Sequence, residues 1–99
     1  MQLQFSRRSD KDLDRLYEFL TEASHSIKTA DKALKAIKDA ATSLLDNPDT
    51  GTDLQDGTGR RELYIRFGKN NYALRYKTDY EAKVIRILRI WHSREERVL

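Results

Sequence analysis

The chain contains no cysteine and only two histidines among its 99 residues. The missing cysteines exclude disulfide bonds and thiolate metal sites, and they are typical of proteins from a reducing compartment. Two histidines are too few for the usual structural zinc site, so we expect neither a metal nor a cofactor. No apolar run approaches the length of a membrane-spanning helix, and residues 1–5 are too polar for the apolar part of a secretion signal. These absences predict a cytoplasmic protein with no membrane contact.

Apolar residues are also scarce. They make up 38% of the chain against 35% charged residues, and the length fits one domain over residues 1–99. Such a core is thin, and we expect a partner protein to complete it. Residues 1–59 carry 8 Lys and Arg against 11 Asp and Glu, whereas residues 60–99 carry 11 against 5. A basic half of this kind can follow phosphates or bind an acidic peptide, and charge alone leaves both open.

Two amphipathic helices follow a short first strand. Residues 2–5 alternate between glutamine and apolar side chains, which predicts a half-buried strand. Ser9 followed by Asp12 has the spacing of a helix cap, and apolar residues then recur with helical spacing to about Ala23. A second helix is predicted from Ile27, and the only proline of the chain ends it. Because the link between the helices is short, we expect an antiparallel helical hairpin.

The second half of the chain predicts three strands. Residues 49–59 are rich in Gly, Thr and Asp and predict a mobile connector, because no Gly-Lys-Ser/Thr of a phosphate-binding loop is present. Residues 62–67 and 72–77 alternate apolar and polar positions around a Gly-Lys-Asn-Asn turn, which predicts a β-hairpin. Residues 83–92 are more continuously apolar, as in a central strand covered on both faces. The order β-α-α-β-β-β predicts an α+β fold, with the helical hairpin on a small, mainly antiparallel sheet.

Short motifs occur in a fixed order along almost the whole chain. They are Ser-x-x-Asp-Leu (Ser9–Leu13), Asn-Pro-x-x-Gly (Asn47–Gly51), Arg-Glu-Leu (Arg61–Leu63), Tyr-x-Leu-x-Tyr (Tyr72–Tyr76) and Leu-x-x-x-His-x-Arg (Leu88–Arg94). Their order and spacing resemble the RelE/ParE superfamily of toxins from toxin–antitoxin modules. The resemblance implies a type II toxin that forms a heteromeric complex with a cognate antitoxin.

The resemblance implies one of two activities. ParE-like members inhibit DNA gyrase by binding, whereas RelE-like members cleave messenger RNA at the ribosome. The positions of the RelE catalytic residues fall on Tyr64, Arg66, Ala73 and Arg94 here, and the late tyrosine of RelE has no counterpart. Only Arg66 and Arg94 are basic, so we expect a binding inhibitor of gyrase rather than an enzyme.

The alternative is a ribosome-dependent endoribonuclease with His92 and Arg94 as catalytic residues. Cleavage through a 2′-hydroxyl needs a group that takes its proton and cations that stabilise the phosphorane charge. His92 titrates near neutral pH, and alternation would place it on the face of Arg94 if the strand continued that far. A strand-end histidine bonded to the backbone or to a carboxylate is the structural interpretation of the same residue.

Six arginines are candidates for contact with the target or the antitoxin. They are Arg61, Arg66, Arg75, Arg86, Arg89 and Arg94. Arg86 and Arg89 lie on the predicted central strand, where an unpaired guanidinium is costly, so we expect one of them to meet an acidic segment of the antitoxin or the target. Arg61 could instead pair with the acidic connector. We expect the antitoxin to lay a largely disordered, acidic and apolar segment over the hairpin and the sheet.

Overall fold

The computed structural model, which describes residues 1–95, is a mixed five-stranded sheet with two helices against one face. The elements are β1 (Gln2–Phe5), α1 (Arg7–Ser24), α2 (Ile27–Ser43), β2 (Thr52–Asp53), β3 (Arg61–Phe67), β4 (Asn70–Asp79) and β5 (Val84–His92). Across the sheet the strands follow the order β1-β5-β4-β3-β2, and β1 is parallel to β5 while the other pairs are antiparallel. The predicted α+β fold is confirmed. The predicted connector at residues 49–59 also contains β2, which pairs with β3.

The two faces of the sheet differ in what covers them. The helices cover one face through contacts of α1 with β5 and of α2 with β3. On the opposite face, hereafter the open face, neither helix of residues 1–95 forms a second layer. β5 occupies the interior position that its apolar run predicts, between β1 and β4. Its open face is covered by arginine side chains, instead of by a second layer of secondary structure as the sequence led us to expect.

The core lies between the helices and the sheet. Its fully buried large side chains are Leu16, Ile37, Leu44, Tyr72, Leu74, Tyr76, Ile85, Ile87 and Ile90. Burial of each aliphatic side chain contributes roughly 1.5–3 kcal/mol to the free energy of unfolding. Alternation along β4 turns its tyrosines and its leucine toward this core, and the residues between them face the open side.

The start of α1 differs from the prediction by three residues. Ser6, and not Ser9, caps the helix, because the Ser6 hydroxyl accepts the Ser9 N–H at 3.1 Å. The Ser6 N–H also donates to the Ile87 carbonyl at 3.0 Å, and its hydroxyl donates to the Leu88 carbonyl at 3.1 Å. The pairing of β1 with β5 therefore determines where the helix begins. Asp12, which the sequence assigned to the cap, is buried instead.

The segment after α2 is attached to the sheet by one tyrosine. The Tyr76 hydroxyl donates to the Pro48 carbonyl at 2.6 Å and accepts the Gly51 N–H at 2.8 Å. A Cβ atom at Gly51 would lie 2.7 Å from the Tyr76 ring and 2.9 Å from the Glu62 carbonyl oxygen. The close approach explains why glycine ends the Asn-Pro-x-x-Gly motif and why a tyrosine stands at this position of β4.

Asp12 joins α1 to β5 through charged hydrogen bonds. Its carboxylate, with a side chain only 3% exposed, accepts from the Arg89 guanidinium at 2.9 Å and the Ile90 N–H at 2.8 Å. Arg15, one turn further along α1, donates to the same carboxylate. Burial by itself would raise the pKa of Asp12, but the hydrogen bonds from Arg89, Arg15 and Ile90 outweigh burial and hold the pKa below its ordinary value.

The two buried tyrosines of β4 provide a matched test of the Asn-Pro-x-x-Gly attachment. Tyr76→Phe removes both hydrogen bonds to the connector and leaves the buried Gly51 N–H without its acceptor, so it should lower the free energy of unfolding by about 1.5–3 kcal/mol. The Tyr72 hydroxyl is buried and has no hydrogen-bond partner within residues 1–95. Tyr72→Phe should therefore be neutral or slightly stabilising. Urea denaturation measures both values, and equal losses would contradict this account.

The Asp12 network predicts how stability depends on pH. Because the folded pKa of Asp12 is lowered, its contribution is fully present above the unfolded pKa of about 3.9 and disappears as pH falls through the folded value. Asp12→Asn should cost about 2–4 kcal/mol at neutral pH, since it leaves the Arg89 guanidinium without its carboxylate and Arg15 with Glu95 alone. Denaturation from neutral pH downward should show a smaller acid loss in Asp12→Asn than in the unaltered chain. An identical acid slope in both proteins would refute the assignment.

Candidate functional site

The open face carries most of the candidate residues. Strand register places there the side chains of Glu62, Tyr64, Arg66, Ala73, Arg75, Lys77, Arg86, Arg89 and Trp91. Nine positions thus supply five cations, one carboxylate and two aromatic rings. This face is basic because five of the nine residues that alternate with the core positions of β3, β4 and β5 are arginine or lysine.

A buried tryptophan lies between two arginines at the centre of this face. The guanidinium carbons of Arg75 and Arg89 lie 4.9 Å and 5.0 Å from the Trp91 ring centroid, and Trp91 is only 2% exposed. Arg75 donates to Glu62 at 2.7 Å, and Arg89 donates to Asp12. Each guanidinium is therefore fixed by a carboxylate and by the indole face. Arg75 and Arg89, two of the six predicted contact residues, therefore lie on one surface, on either side of Trp91.

A groove of about 470 Å³ lies beside the tryptophan. Its lining, hereafter the arginine groove, consists of Ser6, Arg7, Arg8, Arg60, Arg75, Leu88, Arg89 and Trp91. Arg7 and Arg8 come from the first turn of α1, and Arg60 immediately precedes β3. Leu88 takes part because a register shift opposite Arg75 and Tyr76 leaves it without a paired residue on β4. Five arginines from four parts of the chain converge on a floor that includes an aliphatic side chain.

The sequence indicated only part of this groove. Arg75 and Arg89 were predicted contact residues, whereas Arg7 and Arg8 were not recognised as part of the site. The feature of the sequence that could have indicated them is a pair of adjacent arginines in a half of the chain that is otherwise acidic. Both arginines were overlooked because the helix was predicted to begin at Ser9, which would have placed them in a loop.

The other predicted arginines lie outside the groove. Arg61 donates to the Gly51 carbonyl at 2.7 Å and forms an ion pair with Asp49 at 3.8 Å, so it does pair within the connector. Arg86 forms an ion pair with Asp79 at 3.2 Å, and both side chains remain about two-fifths exposed. These two arginines are therefore engaged within the chain, although neither is buried.

Arg66 and Arg94 are exposed at one end of the sheet. Arg66 pairs with Asn71 in the β3–β4 hairpin, and the Asn71 carbonyl accepts the Ser93 N–H at 2.8 Å. The turn that carries Arg94 therefore adjoins the hairpin that carries Arg66. Neither arginine side chain forms a hydrogen bond or ion pair with another residue of the described range 1–95.

The turn after β5 is held by an ion pair with α1. Arg15 donates to Glu95 through Nε at 2.7 Å, and Glu95 also accepts the His92 N–H at 2.8 Å. Burial alone would raise the pKa of Glu95, but the hydrogen bonds from Arg15 and His92 lower it overall. The sequence leaves open whether residues 95–99 form a helical turn; Glu95 lies in a bend, and residues 96–99 lie outside the described residues.

His92 lies on the helix side of the sheet. The residue is 2% exposed, and its ring packs 5.3 Å from the Phe19 ring and 5.2 Å from the Tyr72 ring, measured between centroids. Its Nδ1 accepts the Arg94 N–H at 3.0 Å. Burial lowers the pKa of His92, and the nearby Glu95 only partly opposes this effect. β5 ends at His92, so the alternation that would bring the Arg94 side chain onto the same face does not extend to it.

The described part of the chain shows neither a metal site nor a membrane span. Residues 1–95 hold no group of three or more histidine, aspartate or glutamate side chains arranged to bind a metal ion. Neither α1 nor α2 combines the length and apolar character needed to cross a bilayer.

Comparison with known proteins identifies the family. Residues 3–97 match the family model described as ParE toxin of type II toxin–antitoxin system, parDE. Toxin RelE3 of Caulobacter vibrioides is 36% identical over 91% of each chain. Toxin RelE1 of the same organism is 30% identical over 93% of this chain and 92% of its own.

Solved structures of similar fold come from toxin–antitoxin systems. A chain of the chromosomal ParDE system from P. aeruginosa superposes with a TM-score of 0.76 at 24% identity, over 93% of this chain and 95% of that one. A chain of the RelBE2 toxin–antitoxin complex from Mycobacterium tuberculosis gives 0.64 at 24% identity, over 92% and 95%. These two likenesses support the fold, and the match over residues 3–97 shows the family. The chain belongs to the ParE toxin family of type II toxin–antitoxin systems.

Proposed function

We propose that this toxin binds and inhibits DNA gyrase, as its resemblance to ParE-like toxins implies, and that a cognate antitoxin neutralises it. In this proposal the toxin inhibits gyrase by binding to its surface, and it neither forms nor breaks a covalent bond. In this proposal the open face and the exposed end with Arg66 and Arg94 supply the contacts.

The observation that carries the proposal is the separation of the titratable histidine from the arginines of the open face. RNA cleavage through a 2′-hydroxyl needs a proton acceptor next to the cations that stabilise the phosphorane. Arginine cannot accept a proton at neutral pH. Of the two histidines, His92 is buried on the helix side, and His25 lies at the far end of α1 as its C-cap. The basic open face therefore suits docking better than acid–base catalysis.

The second candidate is ribosome-dependent cleavage of messenger RNA with His92 and Arg94 as the catalytic residues. Its support is the name RelE carried by the two Caulobacter relatives. The proximity of Arg94 to Arg66 also provides two exposed cations at one end of the sheet. In this mechanism His92 would have to leave its contacts with Phe19 and Tyr72 to reach a phosphodiester.

Two assays with purified toxin separate the candidates. Gyrase inhibition predicts loss of supercoiling and accumulation of cleaved DNA complexes, while messenger RNA in a translation extract stays intact. Ribosome-dependent cuts that disappear in His92→Ala or Arg94→Ala would establish the second candidate instead. The unaltered toxin bound to its antitoxin is the control, since neutralised toxin should be silent in both assays.

Arg94→Ala tests whether the exposed end touches the target. The side chain is exposed and without a charged partner in residues 1–95, so its removal should change the melting temperature by no more than about 1–2 °C. Loss of a target contact should weaken gyrase inhibition by about tenfold. Lys28→Ala, an equally exposed position on α2, is the matched control and should change neither value. Parallel losses of inhibition and melting temperature in Arg94→Ala would contradict a contact role.

A further inference from the structure

We propose that His92 is a positioning residue for Arg94. Its neutral imidazole fixes the turn after β5 in the conformation that presents Arg94 to the target, and protonation of the ring releases that turn. The inference rests on the proposed contact role of Arg94, and it extends that role from a contact to its control by pH. It applies to gyrase and to the ribosome alike, because Arg94 is a target contact in both candidate functions.

The turn after β5 is closed by the His92 ring. β5 ends at His92, and the ring nitrogen Nδ1 accepts the backbone N–H of Arg94, two residues further along the chain, at 3.0 Å. Asn47 closes a turn in the same way, because its Oδ1 accepts the Asp49 N–H at 3.3 Å. A side-chain acceptor that bonds the N–H two residues later fixes the local direction of the backbone. The His92 ring therefore sets the direction in which the chain continues through Arg94.

The ring is itself held in place on two sides. It packs against the Phe19 ring of α1 and the Tyr72 ring of β4. The backbone of His92 is bonded twice to Glu95, since its N–H donates to the carboxylate at 2.8 Å and its carbonyl accepts the Glu95 N–H at 2.9 Å. Because both the ring and the backbone are fixed, the hydrogen bond from Nδ1 defines one position for the Arg94 backbone.

Protonation of the ring replaces this acceptor with a donor. Because Nδ1 accepts a hydrogen bond, the single proton of the neutral imidazole lies on Nε2. A second proton on Nδ1 would point at the Arg94 N–H, so two donors would meet and the hydrogen bond would be lost. A buried donor without an acceptor is costly, and the turn opens to relieve that cost.

The charged and titratable groups around the ring keep it neutral at physiological pH. Burial lowers the pKa of His92, the Glu95 carboxylate opposes this effect in part, and Arg94 lowers the pKa further. On β4, burial raises the pKa of the Tyr72 hydroxyl, which stays uncharged. On α1, Arg15 keeps its charge and holds the Glu95 carboxylate at 2.7 Å. The unfolded turn therefore takes up the proton first, and the closed turn loses stability as pH falls below the ordinary histidine pKa of about 6.5.

Two substitutions in the full-length toxin separate the acceptor from the ring. His92→Asn keeps an acceptor near the position of Nδ1 and does not titrate, but it leaves space where the ring packed. His92→Phe fills that space and has no acceptor. His92→Asn should bind gyrase within about threefold of the unaltered toxin, whereas His92→Phe should bind about tenfold more weakly, as expected for Arg94→Ala. Melting curves should rank the two variants in the opposite order, because a cavity lowers stability. Affinities that follow the melting temperatures would show a purely structural role and overturn the proposal.

The pH profile provides a readout that packing alone would not change. The ratio of the dissociation constants of the unaltered toxin and His92→Asn, taken at each pH, cancels the pH dependence of gyrase. This ratio should be constant above neutral pH and rise as pH falls below about 6.5. His25→Asn makes the same substitution at the exposed C-cap of α1 and is the matched control, which should keep the profile of the unaltered toxin.

A double variant tests whether His92 acts through Arg94. In the Arg94→Ala background, His92→Phe should cause no further loss of affinity, because the side chain that it positions is already absent. Additive losses would overturn the proposal, and so would equal pH profiles of the unaltered toxin and His92→Asn.

The turn can also be observed without any target. In NMR spectra of the isotope-labelled toxin, the Arg94 amide signal and the His92 ring signals should shift with one common midpoint, and an Arg94 amide that ignores the titration would overturn the proposal. If the unaltered toxin does not bind gyrase, only the proposed target is contradicted, and the same variants are compared in ribosome-dependent cleavage. Cleavage retained by His92→Asn supports positioning there, whereas its loss assigns His92 a catalytic role and overturns the proposal.

Discussion

The buried carboxylate of Asp12 is the contact on which the arrangement of the charged residues depends. It receives hydrogen bonds from α1, from the backbone of β5 and from Arg89 on that strand. Arg89 is thereby fixed against the Trp91 ring, and Arg15 is oriented toward Glu95 in the turn after β5. One acidic group in the first turns of α1 therefore positions both the wall of the groove and the turn that carries Arg94.

A network of this kind contributes more to geometry than to stability. Desolvation of Asp12 opposes its attraction to the two guanidiniums, so the intact network adds little net free energy. Removal of an arginine partner is costly, however, because the Asp12 carboxylate, which is 3% exposed, stays buried. The apolar residues of the core supply the stability, and the ion pairs select one arrangement of the surface. Under the proposed docking function, that arrangement decides which partners can bind.

The two faces of the sheet have separate roles. The helix side holds the apolar core together with His92, where burial keeps the imidazole neutral at physiological pH. The open side holds arginines whose charge does not depend on pH in the physiological range. The proposed docking role rests on this separation of His92 from the arginines of the open face. The RelE names of the two relatives remain the argument for catalysis.

The sequence by itself determined the order of the helices and strands, the residues that face the core and the basic character of the open face. Periodicities of two and 3.6 residues are local properties, so the alternation along β4 and the apolar stripe of α2 were readable without coordinates. Only the tertiary structure decided that Ser6 caps α1, that Asp12 meets Arg89 across 77 positions of the chain, and that Arg7 joins Arg89 in one groove. The register shift at Leu88 and the end of β5 at His92 could not be predicted from the sequence either. These features depend on which distant residues come into contact, and no local pattern specifies such contacts.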